Sequence, residues 1–598
     1  MMHYILTPHP HSHTWHIRLT LNQTENVPLK LSLANWVPGS YMIRDFSRHI
    51  IRIGAQCNGR PAELLQTAKN RWQSEAAAGE WQIDYTVYAH DLSVRASFLN
   101  QERGFFDGAC LLLSAEGREH GPHRLEFSGL PDHWQIATTL PAPAENGGNV
   151  PSFGTEQPLR TVFQAASYAE IIDHPVEMGH IEYLDFTACG IPHRIALSGD
   201  YPDFDRERLR FDVQKICEAE LKMFDSPAPF KHYLFLLYLG DHIYGGLEHL
   251  DSTALHADRL SLPRIGLNAP DDAYIQLLGL IAHEYFHAWN VKSIKPAAFM
   301  PYRLDEESHT EQLWAFEGIT SYYDDLMLVR SGVISQTDYL NLLAKNLTRV
   351  QQGGGRLQQT LAESSFAAWH KYYKQDENSP NAIVSYYQKG ALAALCLDLF
   401  IRERSGGRQS LDDVMRTLYR DYLADGKGIE ERAWQRRCQE ITGLDLTAFF
   451  QTALYSTDDL PLENCLSAAG IALQWHALPR SHGGGLCSQW PEPQPATDFG
   501  ARYTQTGNGI TLSHIANGSS AETAGLSPGD TVIAADGYAC TDFAAIWQNV
   551  RPGHRLTLHY FRQGVLKQTV LTALPAAADT ALLRIENESK LHAWLHTV

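Results

Sequence analysis

Ile281-Ala-His-Glu-Tyr-Phe-His-Ala-Trp-Asn290 is the stretch on which the interpretation of the whole chain depends. His283 and His287 are four residues apart, so on a helix both imidazoles lie on one face and can bind one metal ion. Glu284 follows the first histidine and can hold a water molecule that the metal activates. Residues 274–281 are apolar enough to bury a helix, and Pro270-Asp-Asp272 is typical of a helix start. The stretch therefore predicts a metal-binding helix that carries its own acid–base group.

Composition limits the classes of protein to consider. At 598 residues the chain is too long for one core, so several domains are expected. The formal charge of −19 argues against nucleic acid or an anionic membrane as a partner. The nine cysteines are scattered without a C-x-x-C pair, which is typical of reduced thiols in a cytosolic protein. Because neither a signal peptide nor a transmembrane segment is visible, we predict a cytoplasmic location.

The pattern of apolar and polar residues changes along the chain, and these changes predict a multidomain fold. Residues 1–170 read as an all-β domain, because apolar side chains alternate with polar ones, and Leu140 to Pro158 reads as a long loop or lid. Residues 171–460 begin with mixed elements, including the buried strand Tyr233–Leu239, and then become mostly helical. Residues 461–500 are predicted to form a linker or extension, 501–575 a small β-rich domain, and 576–598 a tail.

A catalytic zinc site usually has three protein ligands, so a third ligand is needed beside the two histidines. The downstream candidates are Asp305, Glu306, Glu307, His309, Glu311 and Glu317. Glu317 lies among aromatic and aliphatic residues, where a carboxylate without a cation would be costly to bury. This apolar setting distinguishes Glu317 from the other candidates, and His309 is the main alternative ligand.

Three blocks of sequence carry a resemblance to a known family. They are His283-Glu-Tyr-Phe-His-Ala-Trp-Asn-Val-Lys292, Trp314-Ala-Phe-Glu-Gly-Ile-Thr-Ser-Tyr-Tyr323 and Asn378-Ser-Pro-Asn-Ala-Ile-Val-Ser-Tyr-Tyr-Gln-Lys-Gly-Ala391. The chain resembles the glycyl aminopeptidase family of zinc metallopeptidases over most of its length. The resemblance implies a thermolysin-like catalytic domain, a C-terminal PDZ domain and one Zn²⁺ per chain.

The resemblance also implies roles for individual residues. The acid that precedes a glycine, Glu317, would be the third zinc ligand after His283 and His287. Tyr387 falls at the tyrosine that hydrogen-bonds the oxyanion. Gly245-Gly-Leu-Glu-His249 is similar to the block whose acid binds the substrate's α-amine. That similarity assigns amine binding to Glu248 and places Gly245 and Gly246 beside the substrate, although His249 replaces the asparagine of the pattern.

Asp324 is a candidate for a supporting role on the predicted helix that carries Glu317. It follows Glu317 by seven residues, so the two side chains share a helical face. Asp324 could orient a ligand histidine, or it could be a solvated surface acid.

The C-terminal β-rich stretch resembles a PDZ domain. Gly518-Ser-Ser-Ala521 and Ala524-Gly-Leu-Ser-Pro-Gly-Asp530 follow the pattern of bacterial members. Such domains bind an extended peptide, or the C-terminus of a protein, as an added strand. A docked structural module without a ligand is an equal alternative.

Together these observations predict a zinc aminopeptidase that removes N-terminal glycine or alanine from peptides, with Glu284 as the general base. The preference for small residues follows from the family resemblance alone. One alternative is an endopeptidase to which the PDZ domain delivers chains. Another is a PDZ-based binding protein that has no enzymatic activity.

Overall fold

The computed structural model describes residues 1–143, 149–150, 153, 161–492 and 494–596. Most of the segment predicted as a loop or lid, Leu140 to Pro158, lies outside these residues. The chain divides into two compact units, one formed by Met1–Ser308 with Leu418–Ile429 and the other by His309–Thr417 with Glu430–Val598. The predicted domain boundaries stay predictions.

The first unit begins with a β-rich region, as the alternating sequence predicts. Along the strand Gly79–Tyr88, the side chains of Trp81, Ile83, Tyr85 and Val87 are buried in one core, and partners on both sides complete the pairing. The elements are β1 Met2–His9, β2 Thr14–Gln23, β3 Pro28–Ser32, β4 Ile50–Cys57, β5 Arg60–Ala62, β6 Leu64–Ala68, β7 Arg71–Ala76, β8 Gly79–Tyr88, β9 Ser97–Leu99, β10 Arg103–Phe106, β11 Ser114–Ala115, β12 His123–Phe127, β13 Gln135–Ala137, β14 Ala142–Pro143, β15 Asn149–Val150, β16 Val162–Ala165 and β17 Val176–Gly179, with short helices α1 Gly108–Leu111 and α2 Tyr168–Ile171.

These strands form several sheets around that core. The largest has the order β16-β12-β1-β2-β8-β4-β5, and two smaller ones have the orders β13-β17-β10-β9 and β11-β3-β7-β6. The core of this region also takes in Leu247, from a strand that lies further along the chain. The β-rich region therefore supports part of the sheet that follows it.

A mixed sheet and two helices complete the first unit. The strands are β18 Glu182–Ala188, β19 Ile191–Gly199, β20 Tyr233–Gly240, β21 Gly245–Glu248 and β22 Ser252–Asp258, and the helices are α3 Arg206–Phe224 and α4 Asp272–Phe286. The sheet order is β18-β19-β20-β22-β21, with β20 parallel to both of its neighbours and β21 antiparallel to β22. Helix α4 packs against β21 and β22. This sheet confirms the buried strand predicted at Tyr233–Leu239.

Helices dominate the chain after residue 310. They are α5 Ile319–Arg330, α6 Gln336–Gln352, α7 Leu361–Phe366, α8 Ser379–Ala382, α9 Gln388–Ser405, α10 Leu411–Asp425, α11 Ala433–Thr442, α12 Thr447–Tyr455 and α13 Leu462–Ala468. Gly406 ends α9 in the left-handed conformation that favours glycine, and its N–H donates to the carbonyls of Arg402 and Glu403. The predicted helical middle part is confirmed.

The C-terminal part is again rich in strands. It contains β23 Ile471–His476, β24 Gly485–Leu486, β25 Thr497–Asp498, β26 Ala501–Thr506, β27 Gly509–Ile515, β28 Thr531–Ala535, β29 Tyr538–Ala539, β30 Arg555–Arg562, β31 Val565–Thr572, β32 Leu574–Pro575 and β33 Thr580–Ile585, with helices α14 Ser520–Thr523, α15 Phe543–Trp547 and α16 Glu588–Leu595. A sheet of order β26-β27-β28-β30-β31 surrounds a compact apolar core of its own. The multidomain, β–helical–β organisation is confirmed.

The part of the chain that the structure describes contains no candidate for a membrane-spanning helix. No helix there is both long enough and apolar enough to cross a bilayer.

Candidate functional site

Helix α4 positions the two histidines as their spacing predicts. The helix begins where the Asp271 carboxylate accepts the Tyr274 N–H at 2.9 Å, which confirms the predicted start. His283 lies in the last turn, and His287 is the residue that ends the helix. Their ring centroids are 4.6 Å apart and the ring planes are nearly perpendicular, so the two imidazoles are neighbours on one face of the helix.

A backbone contact fixes the orientation of His287. Its Nδ1 lies 2.8 Å from the carbonyl oxygen of Asn290. Because a carbonyl only accepts, Nδ1 carries the proton, and the lone pair of the neutral ring is on Nε2. A metal-ligating histidine usually has this arrangement.

Strand β21 brings a second acid towards α4. Leu247 is fully buried in the core of the β-rich region, so its neighbours Gly246 and Glu248 face the opposite side. A Cβ atom at Gly246 would lie 2.0 Å from Oε1 of Glu284, so only glycine leaves room for that carboxylate. The close approach at Gly246 is therefore made by a side chain of the protein itself, and the substrate-binding role predicted for Gly245 and Gly246 stays a prediction.

Glu248 is held beside the same helix. Its side chain is only 4% exposed, and a Cβ at Gly39 would lie 2.5 Å from its Oε2. Gly39 has a φ of +92°, a conformation that favours glycine. One carboxylate oxygen each from Glu248 and Glu284 and one ring nitrogen of His287 lie within 4.8 Å of one another. Two acids and an imidazole thus converge in a buried space.

The electrostatics of this group fit a cation. Burial raises the pKa of Glu284 to about 7, with a further increase from Glu248, while His283 and His287 act in the opposite direction. Oε2 of Glu284 is buried without a hydrogen-bond partner among the described residues. Converging carboxylates away from water are stabilised when a cation neutralises them. The donor set therefore fits a divalent metal ion at the histidines.

The second unit carries Glu317 on an irregular helical turn. Trp314–Gly318 form a π-helical turn immediately before α5, a feature that is frequent at functional sites. Glu317 is 2% exposed. A Cβ at Gly318 would lie 2.6 Å from Cα of Gly390, so the two backbones are in direct contact. This contact joins the Glu317 turn to the first turn of α9.

Tyr387 lies just before α9 and is half-buried. Its hydroxyl is 3.3 Å from that of Tyr373, within a cluster of tyrosine rings. Burial raises the pKa of the adjacent Tyr386 well above its usual value, and the charges of Tyr373 and Glu317 add to the increase. The second unit therefore places Tyr387 and Glu317 in one neighbourhood.

Several of the other candidates considered from the sequence have partners elsewhere: Glu306 pairs with Arg303, and Glu311 with Arg432. Asp305 is paired with Arg71 and accepts a hydrogen bond from Asn70. Nδ1 of His309 lies 2.8 Å from the carbonyl of Phe366. Asp324 is half-buried on α5, and its carboxylate accepts the N–H of the next residue at 2.6 Å. Its predicted role in orienting a ligand stays a prediction.

Comparison with known proteins agrees with this geometry. A sequence model described as M61 glycyl aminopeptidase matches residues 276–393, and one for the peptidase M61 N-terminal domain matches residues 3–180. A crystal structure of an aminopeptidase N family protein from Idiomarina loihiensis is 38% identical, covers 100% of both chains and has a TM-score of 0.93. The chain belongs to the M61 glycyl aminopeptidase family. It is a metallopeptidase, as the sequence predicts.

A crystal structure of an M1 zinc metallopeptidase from Deinococcus radiodurans is a more distant match to this M61 chain. It is 14% identical, covers 77% of this chain and 94% of its own, and has a TM-score of 0.46. No curated protein matches the chain.

The structure adds residues of the M61 N-terminal domain that sequence reasoning missed. Pro38-Gly39 is a dipeptide typical of a turn, and Gly39 lies against the Glu248 carboxylate. Asp107 accepts a hydrogen bond at 3.2 Å from His249, which explains why a histidine at that position is compatible with burial. Arg95 donates to the carbonyl of Gly246 at 2.8 Å. No local pattern marks these residues, because each partner is distant in sequence.

With Glu284 in its predicted role as general base, Gly246→Ala should leave the fold intact and lower kcat at least about 100-fold, because misplacing a catalytic group by about 1 Å costs roughly that much. The added Cβ would meet the end of the Glu284 side chain, which must move away. Steady-state kinetics with a glycyl dipeptide measure the loss, and thermal unfolding checks the fold. Gly54→Ala is the matched control, since nothing lies within 4 Å of its added Cβ. A kcat within threefold of wild type would show that the carboxylate tolerates the change.

Proposed function

We propose that the protein is a zinc aminopeptidase that removes N-terminal glycine or alanine from peptides. The observation that carries the proposal is the buried Glu248 carboxylate, which lies beside Glu284 and His287. A peptidase that binds chains internally has no need of a buried acid at this place. An acid there pairs with the ammonium group of a free N-terminus and so selects exopeptidase substrates.

The residues that would hold zinc are His283, His287 and Glu317. The tautomer of His287 and the burial of Glu317 support these assignments. When bound, zinc would acidify a water molecule and polarise the scissile carbonyl.

The protein's own groups account for the remaining chemistry. Glu284 accepts a proton from the attacking water and delivers it to the leaving amine. Gly246 holds that carboxylate by leaving space for it. Tyr387 donates a hydrogen bond to the oxyanion, a contact of a kind worth on the order of 3 kcal/mol. Glu248 binds the α-ammonium group and sets the direction in which the peptide enters.

We further propose that residues 501–575 form a PDZ-like module. The edge position of β26 supports the proposal, because no strand of the described residues pairs with its other side, where an extended peptide could bind. The module could bring longer chains to the enzyme, so the endopeptidase alternative has to be tested directly.

A dipeptide library with free and N-acetylated termini tests the proposed function. We expect cleavage of free glycyl and alanyl dipeptides, cleavage of their acetylated forms that is slower by about 100-fold or more, and about one zinc per chain in protein purified without chelator. Cleavage of free and acetylated peptides at similar rates would support the endopeptidase instead. Protein that contains no zinc and cleaves neither class would favour the peptide-binding alternative.

A further inference from the structure

Arg95 extends from the β-rich region to the backbone of β21. Its Nη2 donates to the carbonyl of Gly246 at 2.8 Å, and its Nη1 lies 3.4 Å from the position that a Cβ at Gly245 would take. The Arg95 side chain is half-buried, so it is not fully removed from solvent. The proposed mechanism assigns this cation no role.

Arg95 lies at the outer edge of β21, where no further strand is paired among the described residues. Strand β21 ends the sheet order and pairs with β22. The His249 N–H donates to the Ser252 carbonyl, which makes this a hydrogen-bonded pair of the antiparallel ladder. Because such pairs alternate with non-bonded pairs, the backbone groups of Gly246 and Glu248 face away from β22. Arg95 therefore meets the Gly246 carbonyl at the edge where an added strand would bind.

The length of an extended dipeptide matches the distance along β21 from Glu248 to Gly246. A substrate whose amine is at Glu248 and whose chain runs towards Gly245 is antiparallel to β21, the commoner orientation for paired strands. Two extended residues span about 7 Å, which is also the length of two residues along the strand from Glu248 to Gly246. The C-terminal carboxylate of a dipeptide would thus reach the backbone group that Arg95 binds.

We propose that Arg95 is a specificity-determining residue that binds the C-terminal carboxylate of dipeptide substrates. The inference rests on the proposed aminopeptidase function and names its substrate class. A guanidinium presents a planar fork of N–H donors that matches a carboxylate. Because Arg95 also occupies the Gly246 carbonyl, strand pairing with a longer peptide stops at that position. The enzyme is therefore suited to short peptides with both termini free.

The test compares glycyl-phenylalanine with glycyl-phenylalanine amide, which lacks the carboxylate. For the wild type we expect kcat/KM to be about 10- to 100-fold higher for the acid, the range of a hydrogen bond to a charged group. In Arg95→Ala the acid-to-amide ratio should fall to about one, whatever the absolute rate on the amide. Arg95→Lys keeps the positive charge but lacks the planar guanidinium, so its acid-to-amide ratio should lie between those of Arg95→Ala and the wild type. The control Arg18→Ala, at an exposed arginine paired with Asp84, should keep the wild-type ratio.

Two results would overturn the inference. One is a wild-type acid-to-amide ratio near one, and the other is an Arg95→Ala variant in which both substrates slow by the same factor. Either result leaves the aminopeptidase proposal intact as long as the free glycyl peptides are cleaved. Failure to cleave both peptides while acetylated peptides are hydrolysed would instead refute the proposed function.

Discussion

Glu284→Gln should bind zinc and lose peptide hydrolysis by about 10²- to 10⁴-fold, the usual contribution of a general acid–base group. The amide has nearly the same shape, so it fits the space at Gly246, but it cannot accept a proton from water. The carboxylate that it replaces is 5% exposed, with Oε2 unpartnered among the described residues, so little structural hydrogen bonding is lost. Kinetics on glycyl dipeptides and zinc analysis of the same preparation measure both results.

Glu218→Gln is the matched control for this substitution. Glu218 lies on α3 and pairs with Lys222, a surface interaction that contributes at most about 1 kcal/mol to stability. The control should hydrolyse glycyl dipeptides at the wild-type rate. A Glu284→Gln enzyme that contains zinc and works within tenfold of wild type would exclude Glu284 as the base.

Glu248→Gln should lower kcat/KM for peptides with a free amine by about 100-fold or more, because losing one partner of a buried charge pair costs roughly 2–5 kcal/mol. Glu248 is only 4% exposed, and its carboxylate lies against the Gly39 backbone. An ammonium group that enters this buried site without a counter-ion is poorly solvated. The ratio of free to acetylated peptide hydrolysis should fall by the same factor, since the acetylated peptide never makes the ion pair. Both rates are measured on the same dipeptide.

A structural role for Glu248 would give a different outcome. Both substrates would then lose activity together, and the thermal midpoint would fall. Glu182→Gln provides the comparison. Glu182 lies on β18, the opposite edge strand of the same sheet, where it pairs with Arg206, so its loss should not change the ratio of the two rates.

Much of the site can be predicted from sequence because its parts are local patterns. The α4 helix follows from its cap and from its apolar face, and the spacing of His283 and His287 then determines that their rings are neighbours. The β–helical–β organisation likewise follows from periodicity, which the chain carries within each element. The roles of Glu317, Tyr387 and Glu248 depend on family resemblance, since a buried acid or tyrosine has no distinctive local pattern.

What could not be predicted depends on contacts between distant parts of the chain. Arg95 is 151 residues from Gly246, and the turn at Gly39 meets Glu248 only because the β-rich region packs onto β21. The reason for a glycine at position 246 could not be inferred from the sequence either. The family resemblance places Gly246 beside the substrate, but it does not indicate that the Glu284 side chain lies against this glycine.

The contact of Gly318 with Gly390 has a consequence for how such an enzyme can diverge. The two glycines join the turn that carries Glu317 to the turn that follows Tyr387. Because no side chain separates their backbones, a movement of one turn is passed directly to the other. Under the proposed roles, a shift of one segment moves the metal ligand and the oxyanion donor together. Metal affinity and turnover should therefore vary in step among variants of these two turns. Selection could not readily improve one property while leaving the other unchanged.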